Sequence, residues 1–207
     1  MRDYLSIAGD SRRWREFEHR DGDIVISTPS KSGTTWTQML VGLLVFDGPD
    51  FPSPMSVISP WLEFELTPAT EIFDQLAAQQ HRRFIKTHVP LDGLPLDDRV
   101  TYVVVGRDPR DVFLSMAPHM ANLDPDAHSK ALLDAVPQAE VERRLAAHAS
   151  PADFAESLTL PAGNCHVNTH VAHVLHHLST GWQRREERNV VLVHYADLQR
   201  DLVTEMG

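Results

Sequence analysis

Ile24-Val25-Ile26 is a short β-branched run that breaks at Thr28-Pro29-Ser30. Small residues follow in Lys31-Ser32-Gly33-Thr34-Thr35-Trp36. Apolar positions Trp36, Met39, Leu40, Leu43 and Leu44 then recur at the i, i+3, i+4 spacing of an amphipathic helix. Asp47-Gly48-Pro49 ends that helix. Phe51 to Pro60 holds three prolines and three serines and reads as loop. Trp61 to Leu66 is ambiguous, and Thr67-Pro68 opens a helix running to about Gln80. Arg83 to His88 reads as a short strand stopped by Pro90, with a turn at Asp92-Gly93. Val100 to Val105 is apolar and β-rich, the pattern of a strand buried on both faces of a parallel sheet. Asp108 then suits an N-cap and Pro109 a first helical position, for a helix reaching about Met120.

The flanks are less regular. Met1 to Gly22 reads as an arm or short helix (Ser11 to Phe17), closed by the turn Asp21-Gly22-Asp23. Residues 122–163 differ in texture, with a surface helix over Val136 to Ala149, and read as a variable insertion over the domain. Val167 to Glu187 is helical, with apolar Val171, Val174, Leu175, Leu178 and Trp182, and Asn189 to Val193 is a further strand. No repeat or low-complexity tract is visible. The order of strands and helices implies a single α/β domain over 1–207, a mainly parallel sheet with helices on both faces.

Composition narrows the partners. Hydrophobic content of 42% and charged content of 23% suit an ordinary globular chain. A net charge of -10 argues against general nucleic-acid binding. It leaves room for a small anion, because a distant field is screened within about 10 Å at moderate salt. Lysine is scarce: only Lys31, Lys86 and Lys130 occur beside sixteen arginines. Cys165 is the only cysteine, so no intrachain disulfide or cysteine metal cluster can form, which fits a reducing, cytoplasmic compartment. The N-terminus is highly charged without an apolar signal core, and no apolar run reaches the length of a membrane span.

Strand, small-residue loop and helix place backbone N–H groups around an anion at a helix N-terminus, and here a lysine and hydroxyls add donors. A nucleoside-triphosphate loop carries its lysine after the last glycine. Here Lys31 precedes Gly33. The order Lys-Ser-Gly-Thr-Thr-Trp resembles instead the 5′-phosphosulfate loop of sulfotransferases that use 3′-phosphoadenosine 5′-phosphosulfate (PAPS). Lys86-Thr87-His88-Val89-Pro90 resembles that family's Lys-Thr-His-x-Pro segment. Tyr102 to Met116 resembles its 3′-phosphate motif, a strand followed by Arg-x-Pro-x-Asp-x-x-x-Ser, and His194 to Leu198 resembles its Tyr-Glu-Asp-Leu segment. The family's proline stands next to the loop lysine; here Pro29 lies one residue earlier, with Ser30 between. The family's C-terminal Arg-Lys-Gly and Gly-Asp-Trp segment, which closes over PAPS, has no counterpart, so the chain resembles the first two-thirds of such an enzyme.

The resemblance implies a P-loop-like three-layer α/β/α fold and a sulfotransferase acting on an acceptor hydroxyl. It implies His88 as the base, Lys31 on the bridging oxygen, and Lys86 on the sulfuryl or 5′-phosphate group. It implies a PAPS site of Lys31, Ser32, Gly33, Thr34, Thr35, Trp36, Arg107, Ser115 and Tyr195, with no metal required. Several roles stay open. Lys86 is also read as an exposed strand residue, Trp36 as an adenine platform or core filler, and Tyr195 as an adenine contact or strand-end cap. Arg107 and Ser115 reach one phosphate only if Arg107 precedes its helix. Two alternatives remain: an ATP-dependent small-molecule kinase on a related fold, against which the displaced lysine counts, and an inactive, truncated PAP-binding protein.

Apolar Phe51, Met55, Trp61, Leu62 and Phe64 suit a lipid, glycolipid, phenol or sterol-like acceptor, and the sequence looks more like bacterial members of the family. A homodimer is left open. His166, His170, His173 and His177 fall near one helical face. With no carboxylate at motif spacing, they read as a polar stripe facing the acceptor pocket or solvent rather than a metal site.

Overall fold

The computed structural model describes residues 1–6, 8–122, 125–147, 154–159, 170–202 and 204. His166 and Cys165, and part of the expected insertion, lie outside the described residues. The central sheet holds β3 (Ile24–Ser27), β4 (Phe84–Thr87), β5 (Thr101–Gly106) and β6 (Val190–His194), all parallel, in the order β4-β3-β5-β6. Ile24 pairs with Phe84 on one side and Thr101 on the other, and Tyr102 pairs with Val190. A two-stranded ribbon, β1 (Leu5–Ser6) with β2 (Gly9–Asp10), precedes it. The helices are α1 (Thr34–Phe46), α2 (Met55–Ile58), α3 (Ala69–Ala78), α4 (Pro109–Ala121), α5 (Pro125–Ala135), α6 (Gln138–Ala147), α7 (Phe154–Ser157), α8 (Val171–Trp182) and α9 (Tyr195–Arg200).

Alternation along the strands divides the core. Val25, Ile85, Tyr102 and Val104 pack on one face with Leu62, Leu76, Trp14 and Tyr4. Ile24, Ile26 and Phe84 pack on the other with Val41 and Ile58. The N-terminal segment is therefore part of the core rather than an arm. Tyr4 and Trp14 are fully buried, and the expected short helix is a 3-10 turn at Ser11–Arg15. A buried ion pair fastens the start of β3: Arg83 Nε and Nη2 donate to Asp23 at 2.7 and 2.5 Å.

Three further expectations need correction. In α1 the buried face is Thr37, Gln38, Leu40, Val41 and Gly42, whereas Met39 and Leu44 are exposed. The helix is apolar nearly all round, so periodicity does not select its face. The single helix over 136–149 is preceded by an unforeseen one, α5, and starts only at Gln138, because Pro137 interrupts it. The described members of the histidine stripe do not face solvent: His170, His173 and His177 are buried, and His177 Nε2 meets Ser27 Oγ at 2.9 Å. Ser27 ends β3, so this histidine supports the strand from which the phosphate-type loop departs.

The strand order sets up the site. The chain leaves β3 for β4 on one side, then returns past β3 to β5 on the other. That reversal is the topological switch point, where open α/β sheets bind ligands beyond the carboxyl ends of their strands.

Candidate functional site

The loops after β3, β4, β5 and β6 emerge side by side at the carboxyl end of the sheet. Every motif singled out in the sequence lies there. Residues 28–33 form the first loop. Thr28 and Thr34 hydroxyls bond at 2.6 Å across its mouth, and Ser32 N donates to Pro29 O at 3.3 Å. Gly33 caps α1 at φ 89°, and no side chain caps the helix there, so its first-turn N–H groups face the loop. Lys31 holds φ 64°, a conformation that non-glycine residues adopt at a cost and that clusters at ligand sites. Ser30 Oγ, Ser32 Oγ and Arg107 Nε are buried and meet no hydrogen-bond partner among the described residues. Buried donors without acceptors, converging beside a helix N-terminus, fit a multiply charged phosphate ester.

Arg107 does precede its helix, in the link between β5 and α4. Its Nη1 donates to Lys31 O at 2.7 Å, and its guanidinium lies 4.5 Å from the Tyr195 ring centroid. Tyr195 meets Trp36 edge-on at 5.3 Å. Trp36, Tyr195 and Arg107 thus form one aromatic and cationic wall, joining α1, α9 and the end of β5. The adjoining Asp108 caps α4 by accepting from Arg110 N at 2.9 Å, and the Arg110 side chain holds its carboxyl at about 2. Ser115 sits half-buried one turn and a half into α4 and is joined to Arg107 by no hydrogen bond among the described residues. Because Arg107 precedes the helix, the geometric condition for the pair to share one phosphate is met.

After β4, His88 is buried, and its Nδ1 lies 2.9 Å from Thr28 O. A carbonyl only accepts, so Nδ1 carries the proton and Nε2 the lone pair. Lys86 lies two residues before, half-buried, with Nζ 4.7 Å from the Trp61 ring centroid. Burial pushes the Lys86 ammonium down, and the carboxylate of Glu63 opposes this. Trp61 also meets His88 edge-on at 5.1 Å and stacks on Phe64 at 4.9 Å.

The sequence singled out Trp61 and Phe64 only as acceptor-side apolar residues, and it missed Glu63, Gln38 and His119 altogether. Residues 60–62 run along the outer edge of β4: Lys86 N donates to Pro60 O at 3.0 Å, and Trp61 bridges to Lys86. Gln38 Nε2 fixes this segment through Ser59 O and Oγ at 2.8 and 2.9 Å. No strand pattern marks it, because only two or three of its residues pair. His119, from α4, lies in the field of Lys31 and Lys86: burial and then those two charges lower its imidazole. A cavity of about 440 Å³ opens between α1 and this segment, lined by Thr35, Gln38, Met55, Trp61, Phe64 and Lys86 among others.

The family model described as the sulfotransferase domain matches residues 21–207. The chain belongs to the sulfotransferase family. Among curated relatives, the glycolipid sulfotransferase of Mycobacterium tuberculosis (strain H37Ra) is 48% identical over 217 residues, covering 98% of this chain and 66% of the relative. The dog sulfotransferase 1A1 is 34% identical over 120 residues, 54% of this chain and 41% of its own length. This sulfotransferase chain thus spans about 66% of the length of the mycobacterial relatives it matches. The fold is shared with retinol dehydratase in complex with retinol and PAP, at TM-score 0.60, 20% identity, 96% of this chain and 63% of that one. It is shared also with a mouse sulfotransferase complexed with PAP, at TM-score 0.61, 18% identity, 94% and 59%. The P-loop-like α/β/α architecture expected from the motifs is the one observed.

Proposed function

We propose that this chain carries the donor site and the reacting centre of a PAPS-dependent sulfotransferase acting on a hydroxyl of a glycolipid-type acceptor. The observation that carries the reading is the convergence of Lys31, Lys86, His88 and Arg107 on one strand-end crevice, beside buried donors that lack partners. When bound, PAPS supplies the sulfuryl group and a phosphate leaving group. Gly33, Thr34 and Thr35 offer the N–H groups at the start of α1 to the 5′ side and Ser32 its hydroxyl, with Lys31 and Lys86 as the cations. Arg107 and Ser115 are assigned to the 3′-phosphate, and Trp36 with Tyr195 to the adenine. His88 takes the acceptor proton at Nε2, while its Nδ1–H stays on Thr28 O and holds the ring. Because three cations supply the positive field, the reading calls for no metal.

The acceptor side draws on two supports. The mycobacterial relative bears the name glycolipid sulfotransferase. The cavity beside Lys86 mixes the stacked Trp61 and Phe64 rings with Gln38, Ser59 and Thr35, an amphipathic lining suited to a sugar with an apolar tail. We place the protein in a bacterial cytoplasm, a compartment that suits a chain with one cysteine. No helix among the described residues is long and apolar enough to cross a membrane. Residues 122–163 we read as a variable insertion of one domain, supported by the packing of Leu132, Val136 and Val141 on Ala8, Phe64 and Leu66.

Calorimetry tests the donor site. PAP should bind in preference to ATP; ATP binding with no PAP binding overturns the reading. His88→Ala should lower transfer from PAPS by about 10²–10⁴-fold and leave PAP affinity unchanged. Retained turnover removes His88 as the base.

A further inference from the structure

Glu63 is a fully buried carboxyl group directly behind the reacting centre. It gets there because residues 60–62 follow the edge of β4, which turns the next side chain under His88. Its Oε1 accepts from His88 N at 2.8 Å and from Thr87 Oγ1 at 2.8 Å. Thr87 Oγ1 itself accepts from Val89 N at 3.0 Å, so the hydroxyl proton is directed to Glu63. Oε2 accepts from Trp14 Nε1 at 3.1 Å. Both oxygens act as acceptors, as an ionised carboxylate's do; burial raises the carboxyl, and the hydrogen bond from His88 N and those of the other donors around it oppose that rise. One side chain thereby restrains three consecutive residues, 87–89, with the base in the middle. The same charge faces Lys86 across the edge pairing.

We propose that Glu63 is a positioning residue of the transfer reaction: it clamps the backbone carrying His88 and supplies the negative charge that the Lys86 ammonium faces. This rests on the sulfuryl-transfer reading of the site. Glu63 touches no reacting atom and acts through His88 and Lys86. Among the described residues, His88 follows Lys86 on the same strand end, and His119 on α4 lies in the field of Lys86 and of Lys31 in the loop, both lysines lowering it. Among the described residues, Glu63 is the anion that opposes the lowering of Lys86 by burial. A carboxylate that merely filled the core would contribute stability alone. A positioning carboxylate also sets the protonation of Lys86 and the protection of the His88 amide.

Competitive acetylation with acetic anhydride measures the first directly. The chain has only Lys31, Lys86 and Lys130, and exposed Lys130 is an internal reference. Glu63→Gln keeps the shape and an acceptor oxygen but removes the charge. At pH 8 the reactivity of Lys86 relative to Lys130 should rise roughly tenfold. Trp14→Phe, which removes a donor to the same carboxylate but keeps the charge, should lower the melting temperature and leave that ratio unchanged. Hydrogen exchange at the His88 amide should stay slow in Glu63→Gln and accelerate in Glu63→Ala.

With labelled PAPS and octyl glucoside as acceptor, Glu63→Gln should lower kcat. Its rate should fall at a lower pH on the alkaline side than in wild type. A folded Glu63→Gln whose Lys86 reactivity and alkaline limb match wild type overturns the proposal, as does a Glu63→Ala with unchanged His88 exchange. Where Glu63→Ala does not fold, the Glu63→Gln readouts decide. A wild type that binds no PAP overturns the sulfuryl-transfer reading instead, and the acetylation ratio and amide exchange are then read independently of it.

Discussion

Gly33 is the position where the loop tolerates least change. Its φ of 89° is left-handed, and a Cβ built there would lie 2.5 Å from Tyr195 Cδ2 and 2.8 Å from Cε2. Gly33→Ala therefore carries two separate penalties. Holding an alanine in the left-handed region costs about 1–2 kcal/mol. Tyr195 must also withdraw, which disturbs its edge contact with Trp36 at 5.3 Å and the Arg107 stack at 4.5 Å. Those contacts are worth about 0.5–1.5 and 0.5–1 kcal/mol beyond area burial. The total is about 2–4 kcal/mol, a fall in Tm of roughly 4–15 °C for a domain of this size. Thermal unfolding by circular dichroism measures it, and calorimetry with PAP should show weakened binding, because Arg107 moves with the ring. The double variant separates the two penalties. In a Tyr195→Ala background only the backbone penalty survives, so Gly33→Ala should cost about 1–2 kcal/mol less there. Equal costs in both backgrounds would refute the steric account, and a Tm within about 1 °C of wild type would refute both.

Asp23→Asn should destabilise by about 3–5 kcal/mol in urea unfolding, because it leaves Arg83 buried without its anion. Burial raises the Asp23 carboxyl, but His19, whose Nδ1 lies 3.6 Å away, and the hydrogen bonds from Arg83 and the Arg20 backbone outweigh it and hold the group below its usual range. Its contribution is therefore complete above the unfolded carboxylate pKa near 4 and is lost as pH falls through the lower folded value. Acid titrations of wild type and Asp23→Asn should accordingly converge in stability at low pH; a gap that stays constant would contradict the pairing. Thr28→Val removes a buried partner of Thr34 Oγ1 and should cost about 1–3 kcal/mol by the same unfolding assay. Trp61→Ala should raise the KM for a glycolipid acceptor roughly tenfold, the equivalent of about 1.4 kcal/mol, with PAP affinity unchanged. An unchanged KM would remove Trp61 from the acceptor wall.

Much of the donor side was legible from residues alone. A β-branched run, a loop of small residues and an apolar helix declare themselves through sterics and local hydrogen bonding, and Lys31 before Gly33 separates this loop from triphosphate loops. The strand ends at His88 and Arg107 were legible for the same reason: Pro90 and Asp108-Pro109 stop and start elements locally. Trp61 and Glu63 belong to a segment whose role comes from lying against β4, so Glu63 carried no signal. The histidines of α8 show the converse. Their spacing placed them correctly on one face, but polarity suggested the wrong side, because a buried histidine supported by Ser27 looks in sequence like a solvated one.

By itself, then, the sequence determined which short segments are strands, loops and helix starts, since those preferences act over a few residues. It also determined which candidate side chains each of those loops carries. Only the tertiary structure decided the order β4-β3-β5-β6, and with it the meeting at one switch point of four loops as far apart in the chain as Thr28 and Tyr195. It alone chose the buried face of α1 and put a carboxylate beneath His88. Those outcomes depend on desolvation and packing between distant parts of the chain, energies that no local pattern contains.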